Sequence, residues 1–280
     1  MSYRTLAVLL LIVLVGCVHT PPSAKDRRDN ADQLAAAANW EKQVLATKLF
    51  TLVAYTPKNR QKTRVLSVYI EGDGFAWISK SRVSPDPTPK RPIGLELALR
   101  DHTGVAAYLA RPCQYVQDPN TRNCNKIYWT GGRFSSEVIA ASLQAINQLK
   151  QQFDASQLQL IGYSGGGAVA ALVAAQRNDV IRLITVAGNL DHKAWTQEHL
   201  ITPLRRSLNP ADAWQSLKDI PQLHFVGGQD RIMGENIAES YRSRFPNNKK
   251  PVVRIIDDFD HSCCWVQQWP KLIDSIDHIQ

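Results

Sequence analysis

The sequence predicts an α/β fold, with a mostly parallel central sheet and helices on both faces. From residue 48 onward, short runs rich in β-branched and aromatic residues alternate with segments whose apolar residues recur at helical spacing. Gly, Pro, Asn and Asp punctuate most of the changes. The 280 residues contain no internal repeat and no second linker. Roughly 240 of them follow a polar N-terminal stretch, enough for one large domain with a full core. Repeated strand-then-helix order implies parallel strands joined by right-handed crossovers, with ligand chemistry at their carboxyl ends.

The elements follow in order. "KLFTLVAY" (48–55) and "RVLSVYIEG" (64–72) read as strands. After the Pro-rich loop "SPDPTPKRP" come a short helix, "IGLELALRD", and a strand, "VAAYLARP". In 135–153, Val138, Ile139, Leu143, Ile146, Leu149 and Phe153 share a helical face, with Ser135 or Ser136 to cap it. "QLQLIGY" is a strand running into a small-residue helix, and 180–190 is another buried strand. Asn209-Pro210 starts a helix. "QLHFVGG", "GENIAESYRSRF" and "VVRIIDDF" then read as strand, helix, strand. The closing segment "CWVQQWPKLIDSIDHI" is a helix that Pro270 should kink or restart.

The N-terminus suggests export. Arg4 precedes an apolar run from Leu6 to Val15. That run is shorter than the about 20 residues a membrane span needs and has the flanks of a secretory signal. "LVGC" resembles a bacterial lipobox, which implies a signal peptide at 1–16 and a lipidated Cys17 as mature N-terminus. Val18 rather than Asp follows; by resemblance to Gram-negative lipoprotein sorting, this favours the outer membrane. Residues 17–38 read as a solvated tether between the lipid anchor and a domain at 39–280. The net charge is +8, but basic residues are scattered among acids, as in "AKDRRDNAD". Without a basic stripe carrying interleaved aromatics, nucleic acid is not an expected partner; mild attraction to anionic lipid is.

Cys113, Cys124, Cys263 and Cys264 remain after Cys17. An even count in an exported chain suggests disulfides, with three possible pairings. The local pair Cys113–Cys124 closes a short loop and is favoured, stabilising by ~2–3 kcal/mol on the chain-entropy model. Cys263 and Cys264 would then pair with each other or stay thiols, and crossed pairings stay open.

The corner "GYSGGG" admits three readings. Glycines alone can let a helix approach a strand. A strand, Gly-rich turn and helix N-terminus can also hold a pyrophosphate, with Asp191 near where a ribose-binding acid belongs. The spacing is not G-x-G-x-x-G, however, and no Lys-Ser/Thr follows. The third reading is a nucleophile elbow: Gly162, Ser164 and Gly166 match G-x-S-x-G at a strand-to-helix turn. Such a turn lifts the serine Oγ clear of the sheet, and the Gly165 N–H at the helix start can stabilise an oxyanion.

A base and an orienting acid should follow in the order Asp, His. Asp230 and His261 each lie just past a strand, on the carboxyl edge that carries Ser164. His261 would take the Ser164 proton and Asp230 would hold the imidazole. The rivals are Asp191, Asp257, Asp258 and Asp260 for the acid, and His192 and His224 for the base. "EGDG" should supply the second oxyanion donor, the N–H of Asp73 or of Gly74.

On "EGDG", "GYSGG", "GGQD" and "FDH", the chain from about residue 48 resembles the α/β-hydrolase superfamily. The resemblance implies a Ser-Asp-His serine hydrolase acting on esters or related acyl compounds, small or lipid, with no cofactor and no metal. "EGDG" departs from the common His-Gly start of the oxyanion loop, and any lid between Asp191 and Asp230 is small. An acyltransferase using the same triad, or a non-catalytic binding or scaffolding lipoprotein, are the alternatives. Trp77, Trp129, Trp195 and Trp265 either line an apolar pocket or cover the sheet. Arg111 either holds an anionic substrate group or pairs structurally.

Overall fold

A computed structural model describes residues 21–117 and 121–276. The lipobox and Cys17 lie outside the described residues. Eight strands form one sheet, in the order β1-β2-β4-β3-β5-β6-β7-β8. They are β1 (Trp40–Ala46), β2 (Thr51–Pro57), β3 (Val65–Ile70), β4 (Val105–Leu109), β5 (Gln157–Tyr163), β6 (Val180–Val186), β7 (Gln222–Gly227) and β8 (Val252–Ile256). From β4 to β8 every pairing is parallel; β1 with β2 and β2 with β4 are antiparallel.

The helices are α1 (Ala24–Ala37), α2 (Ile93–Ala98), α3 (Ser136–Gln152), α4 (Gly165–Ala174), α5 (His192–Glu198), α6 (Trp214–Leu217), α7 (Glu235–Arg242) and α8 (Trp265–Asp274). They cover two apolar layers, and period-two alternation divides each strand between them. Leu66, Val68, Ile70, Leu158 and Leu160 pack with α3, α4 and α7. Tyr69, Ile161 and Tyr163 pack on the other face with α1, α2 and α8. Every residue of α4 is buried. Its glycines and alanines let it lie close to β5 and β6, so the start of α4 is fixed under the carboxyl edge of the sheet.

The structure corrects one expectation and adds one strand. Much of the 17–38 segment is not tether: residues 24–37 are a docked helix. Ser23 and Asp26 form a reciprocal capping box. Ala31 and Ala35 are buried in the core layer, and Arg27 and Arg28 both pair with Asp86. A stripe of small alanines buries little apolar area per residue, so it escapes a hydropathy reading. Helix α8 runs through Pro270 without restarting. The sheet also gains an N-terminal strand, β1, whose polar residues suit an edge position. Cys113 is bonded to Cys124, and Cys263 to Cys264. No described helix is long and apolar enough to cross a membrane.

Candidate active site

Ser164 occupies the turn from β5 into α4 with φ 51°, a left-handed backbone that a serine adopts only where its surroundings force it. Its N–H donates to Val186 O and its carbonyl accepts from Gly167 and Asn189, so the turn is tied to β6 and to α4. A Cβ on Gly162 would overlap the backbone of Gly166 and Gly167, and one on Gly165 would overlap the Asp73 carboxylate. The glycines are therefore requirements of close approach.

His261, on the loop after β8, brings Nε2 to 3.0 Å from Ser164 Oγ. Its Nδ1 is 2.8 Å from Asp230 Oδ2, on the loop after β7. Asp230 Oδ1 accepts from the N–H groups of Ile232 (2.7 Å) and Met233 (2.8 Å), which leaves Oδ2 aimed at the imidazole. Burial works against charge on Asp230, but the His261 hydrogen bond and those two N–H groups outweigh it and hold the carboxyl below its usual range. An ionised carboxylate only accepts hydrogen bonds, so Nδ1 carries the proton and a neutral imidazole is left with Nε2 as acceptor for the serine hydroxyl. Tyr163 OH donates to His261 O at 3.0 Å and its ring flanks the imidazole at 5.6 Å. Ser164 is 8% exposed and the His261 side chain 18%, so the reacting edge opens toward solvent through the histidine.

The "EGDG" loop lies directly beside the elbow: a Cβ on Gly72 would sit 3.3 Å from Ser164 Cβ. A Cβ on Gly74 would overlap Pro87 O and the Gln114 amide, and its φ of 67° suits glycine. The Asp73 side chain, poised over Gly165, is clamped by Arg111 Nη1 (3.2 Å) and Arg133 Nη1 (2.5 Å). Burial alone would raise Asp73, but the two guanidinium groups hold it below the usual carboxylate range. Arg111 also donates to Arg133 O, and Arg133 Nε to Thr130 O. Arg111 thus serves this cluster, which carries one positive charge in excess.

Glu71 supports the loop from beneath. Its Oε1 accepts from Gly72 N–H (2.9 Å) and Gly94 N–H (3.2 Å), and its Oε2 from Tyr108 OH (3.0 Å). Burial pushes it up to about 7, although those groups and the Leu95 N–H favour its charged form. A carboxyl raised from 4.5 to about 7 by folding stabilises the protein fully below pH 4.5 and loses that contribution as pH rises through 7. Glu71→Gln should flatten thermal stability between pH 4.5 and 7 and leave the variant more stable than the parent at pH 8, by roughly 3 kcal/mol. An unchanged pH profile in a melting series would rule this out.

The rivals fall elsewhere. Asp191 caps α5, and Asp260 accepts from Ser262 and Cys263 N–H in the turn that holds His261. Both ring nitrogens of His261 are taken by Ser164 and Asp230, so neither Asp257 nor Asp258 is its partner. His224 is buried in β7 against Thr185, and His192 starts α5. Trp129 and Trp265 are buried and cover the sheet, Trp77 is exposed, and Trp195 lies beneath the Arg133 guanidinium. The sequence does not single out Arg133, Glu71 or Tyr163 for these roles; none stands in a local pattern that marks it. Among the described residues no group of His, Cys, Asp and Glu could hold a metal ion.

Solved structures share this architecture. The esterase Pf2001 of Pyrococcus furiosus superposes with TM-score 0.59 over 86% of this chain and 93% of that one, at 12% identity. The fold is that of the α/β-hydrolases. Est1E from Butyrivibrio proteoclasticus matches with TM-score 0.58 at 14% identity, over 85% of this chain and 99% of its own. An alpha-beta serine hydrolase homologue from Coxiella burnetii matches at 0.56 and 15% identity, over 85% and 96%. No model of a protein family matches the sequence, and no curated protein matches it.

Proposed function

We propose that this α/β-hydrolase-fold protein is a serine hydrolase that cleaves an ester or related acyl bond through an acyl-enzyme. The observation that carries the reading is the unbroken Ser164–His261–Asp230 hydrogen-bond chain at 3.0 and 2.8 Å. As a carbonyl approaches Oγ, His261 Nε2 takes the hydroxyl proton and the oxygen attacks. The imidazolium that results is stabilised by Asp230. The tetrahedral oxyanion lies at the start of α4, where Gly165 N–H and the neighbouring Asp73 N–H are the donors; among the described residues neither amide is engaged elsewhere. His261 returns its proton to the leaving alcohol, and water repeats the sequence on the acyl-enzyme. Esterases among the structural neighbours support this class of reaction.

A fluorophosphonate probe should label the folded protein at Ser164, with fluoride as leaving group, and Ser164→Ala should stay unlabelled. A folded parent that takes up no probe would remove the hydrolase reading and favour a binding role.

The "LVGC" segment supports an envelope location through a lipid on Cys17, with acylated envelope components or lipid esters as the substrate pool. Membrane fractionation of Cys17→Ser beside the parent decides this: a variant that still sediments with membranes would refute the anchor.

A further inference from the structure

The loop that carries His261 ends in two adjacent cysteines, Cys263 and Cys264, bonded to each other. Only Ser262 separates the base from the pair. Cys263 is exposed and Cys264 half-buried, so a small reagent in solvent can reach the bond.

Neither global stability nor helix capping accounts for this disulfide. A disulfide stabilises a fold mainly by closing a loop in the unfolded chain, and the gain grows with loop length. Cys113 and Cys124 are 11 apart in sequence, whereas Cys263 and Cys264 are 1 apart, so the second bond restricts the unfolded chain very little. Cys264 is also the N-cap of α8, where Ser, Thr, Asp or Asn would accept a backbone N–H, but no side chain caps that helix.

The effect of the bond is local. It closes a ring around the peptide unit that joins the two cysteines, which restricts rotation on either side of that unit. The hydrogen bonds that close the His261 turn end on Cys263. Its carbonyl accepts from Asp260 N–H at 2.9 Å, and its N–H donates to Asp260 Oδ1 at 2.7 Å. Asp260 Oδ1 also accepts from Ser262 N–H at 2.8 Å, and Asp260 O from Trp265 Nε1 at 3.0 Å. His261 thus stands inside a turn whose ends are Asp260 and Cys263, and the direction of the Cys263 carbonyl is set by the ring.

We propose that Cys263–Cys264 is a redox modification site: bonded, it holds His261 in reach of Ser164, and reduced, it releases the histidine. A dithiol is the reactant class. One of its thiolates attacks the exposed Cys263 sulfur, the S–S bond breaks, and the Cys264 sulfur leaves as a thiolate and takes up a proton. The second thiol of the reagent displaces the Cys263 sulfur and closes the reagent's own disulfide, so two electrons and two protons pass to the protein. The freed peptide unit rotates, the Cys263 carbonyl leaves the Asp260 N–H, and the imidazole is no longer held against the serine. A misplacement of about 1 Å costs about 10²-fold in rate. The effect on turnover rests on the hydrolase reading; the effect on the loop does not.

The test is stepwise reduction of the full chain with dithiothreitol, with the state of each cysteine followed by mass spectrometry. Fluorophosphonate labelling of Ser164 should slow by about tenfold or more once the pair is reduced, and recover when oxidised glutathione restores the bond. In the proton NMR spectrum, the deshielded signal of the Nδ1 proton shared with Asp230 should broaden or vanish, and return in step. Cys263→Ser/Cys264→Ser should label slowly with or without dithiothreitol, yet melt close to the parent, because the bond restricts the unfolded chain so little. Cys113→Ser/Cys124→Ser should keep the full response to reductant. Labelling and an Nδ1 signal that survive reduction of the pair, a Cys263→Ser/Cys264→Ser variant as fast as the parent, or a response that disappears with Cys113–Cys124 instead would each overturn the proposal. An oxidised parent that takes up no probe defeats the hydrolase reading alone, because the Nδ1 signal still reports the loop.

Discussion

His261→Ala should fold as the parent does and lose fluorophosphonate labelling and ester turnover, with kcat/KM down by about 10⁴- to 10⁶-fold. The imidazole is partly exposed and fills no core position, so its removal costs little stability. It is also the only group within hydrogen-bond reach of Ser164 Oγ among the described residues. Asp230→Asn separates orientation from proton transfer. If the amide oxygen keeps the Ile232 and Met233 N–H bonds, its NH₂ faces Nδ1 and requires that nitrogen to accept. The ring proton then moves to Nε2, and the serine hydroxyl has no acceptor; a loss of about 10⁴-fold is the expected size. Labelling of His261→Ala at the parent's rate, in protein shown to be folded by circular dichroism, would defeat the assignment of the base.

Why these three residues can be read from the sequence, and others cannot, has a physical basis. Ser164, Asp230 and His261 each follow closely on an apolar run, and parallel connectivity sends every such position to the same edge. The chain states that information locally, in glycines and in the end of a strand pattern. The Asp73–Arg111–Arg133 cluster is different. Its members come from three separate loops, and a lone arginine beside a Gly-Gly turn is indistinguishable from a surface charge until the fold brings it to a buried carboxylate. Helix α1 escapes a sequence reading for a related reason. Its buried apolar face is two alanines, and the rest of its anchoring is polar: the Ser23 cap and the Arg27 and Arg28 contacts to Asp86. Trp129 and Trp265 show the converse, since a tryptophan near a strand end has the same sequence signature whether it lines a pocket or, as here, seals the sheet.

Arg133→Ala should lower kcat by about 10²-fold with little change in KM, and a second change, Asp73→Asn, should restore part of the loss. The Asp73 carboxylate lies against Gly165, whose N–H is the candidate oxyanion donor. Two like charges ~5 Å apart at an effective dielectric of ~20 repel by ~3 kcal/mol, enough to undo most of what one oxyanion donor contributes. With both guanidinium groups present the cluster is net positive, and it favours the developing oxyanion. Removing Arg133 leaves Asp73 matched by Arg111 alone, and the favourable field is lost. Breaking a buried ion pair also costs stability, by about 3–5 kcal/mol, so a fall in melting temperature is expected alongside. A purely structural role would predict that loss as well, which is why the double variant matters. Neutralising Asp73 removes the charge that Arg133 balanced while keeping the backbone N–H of residue 73. Under the electrostatic account, kcat recovers toward the parent in Asp73→Asn/Arg133→Ala. A double variant no faster than Arg133→Ala, or a loss confined to KM, would show instead that Arg133 acts by holding loops or by touching substrate.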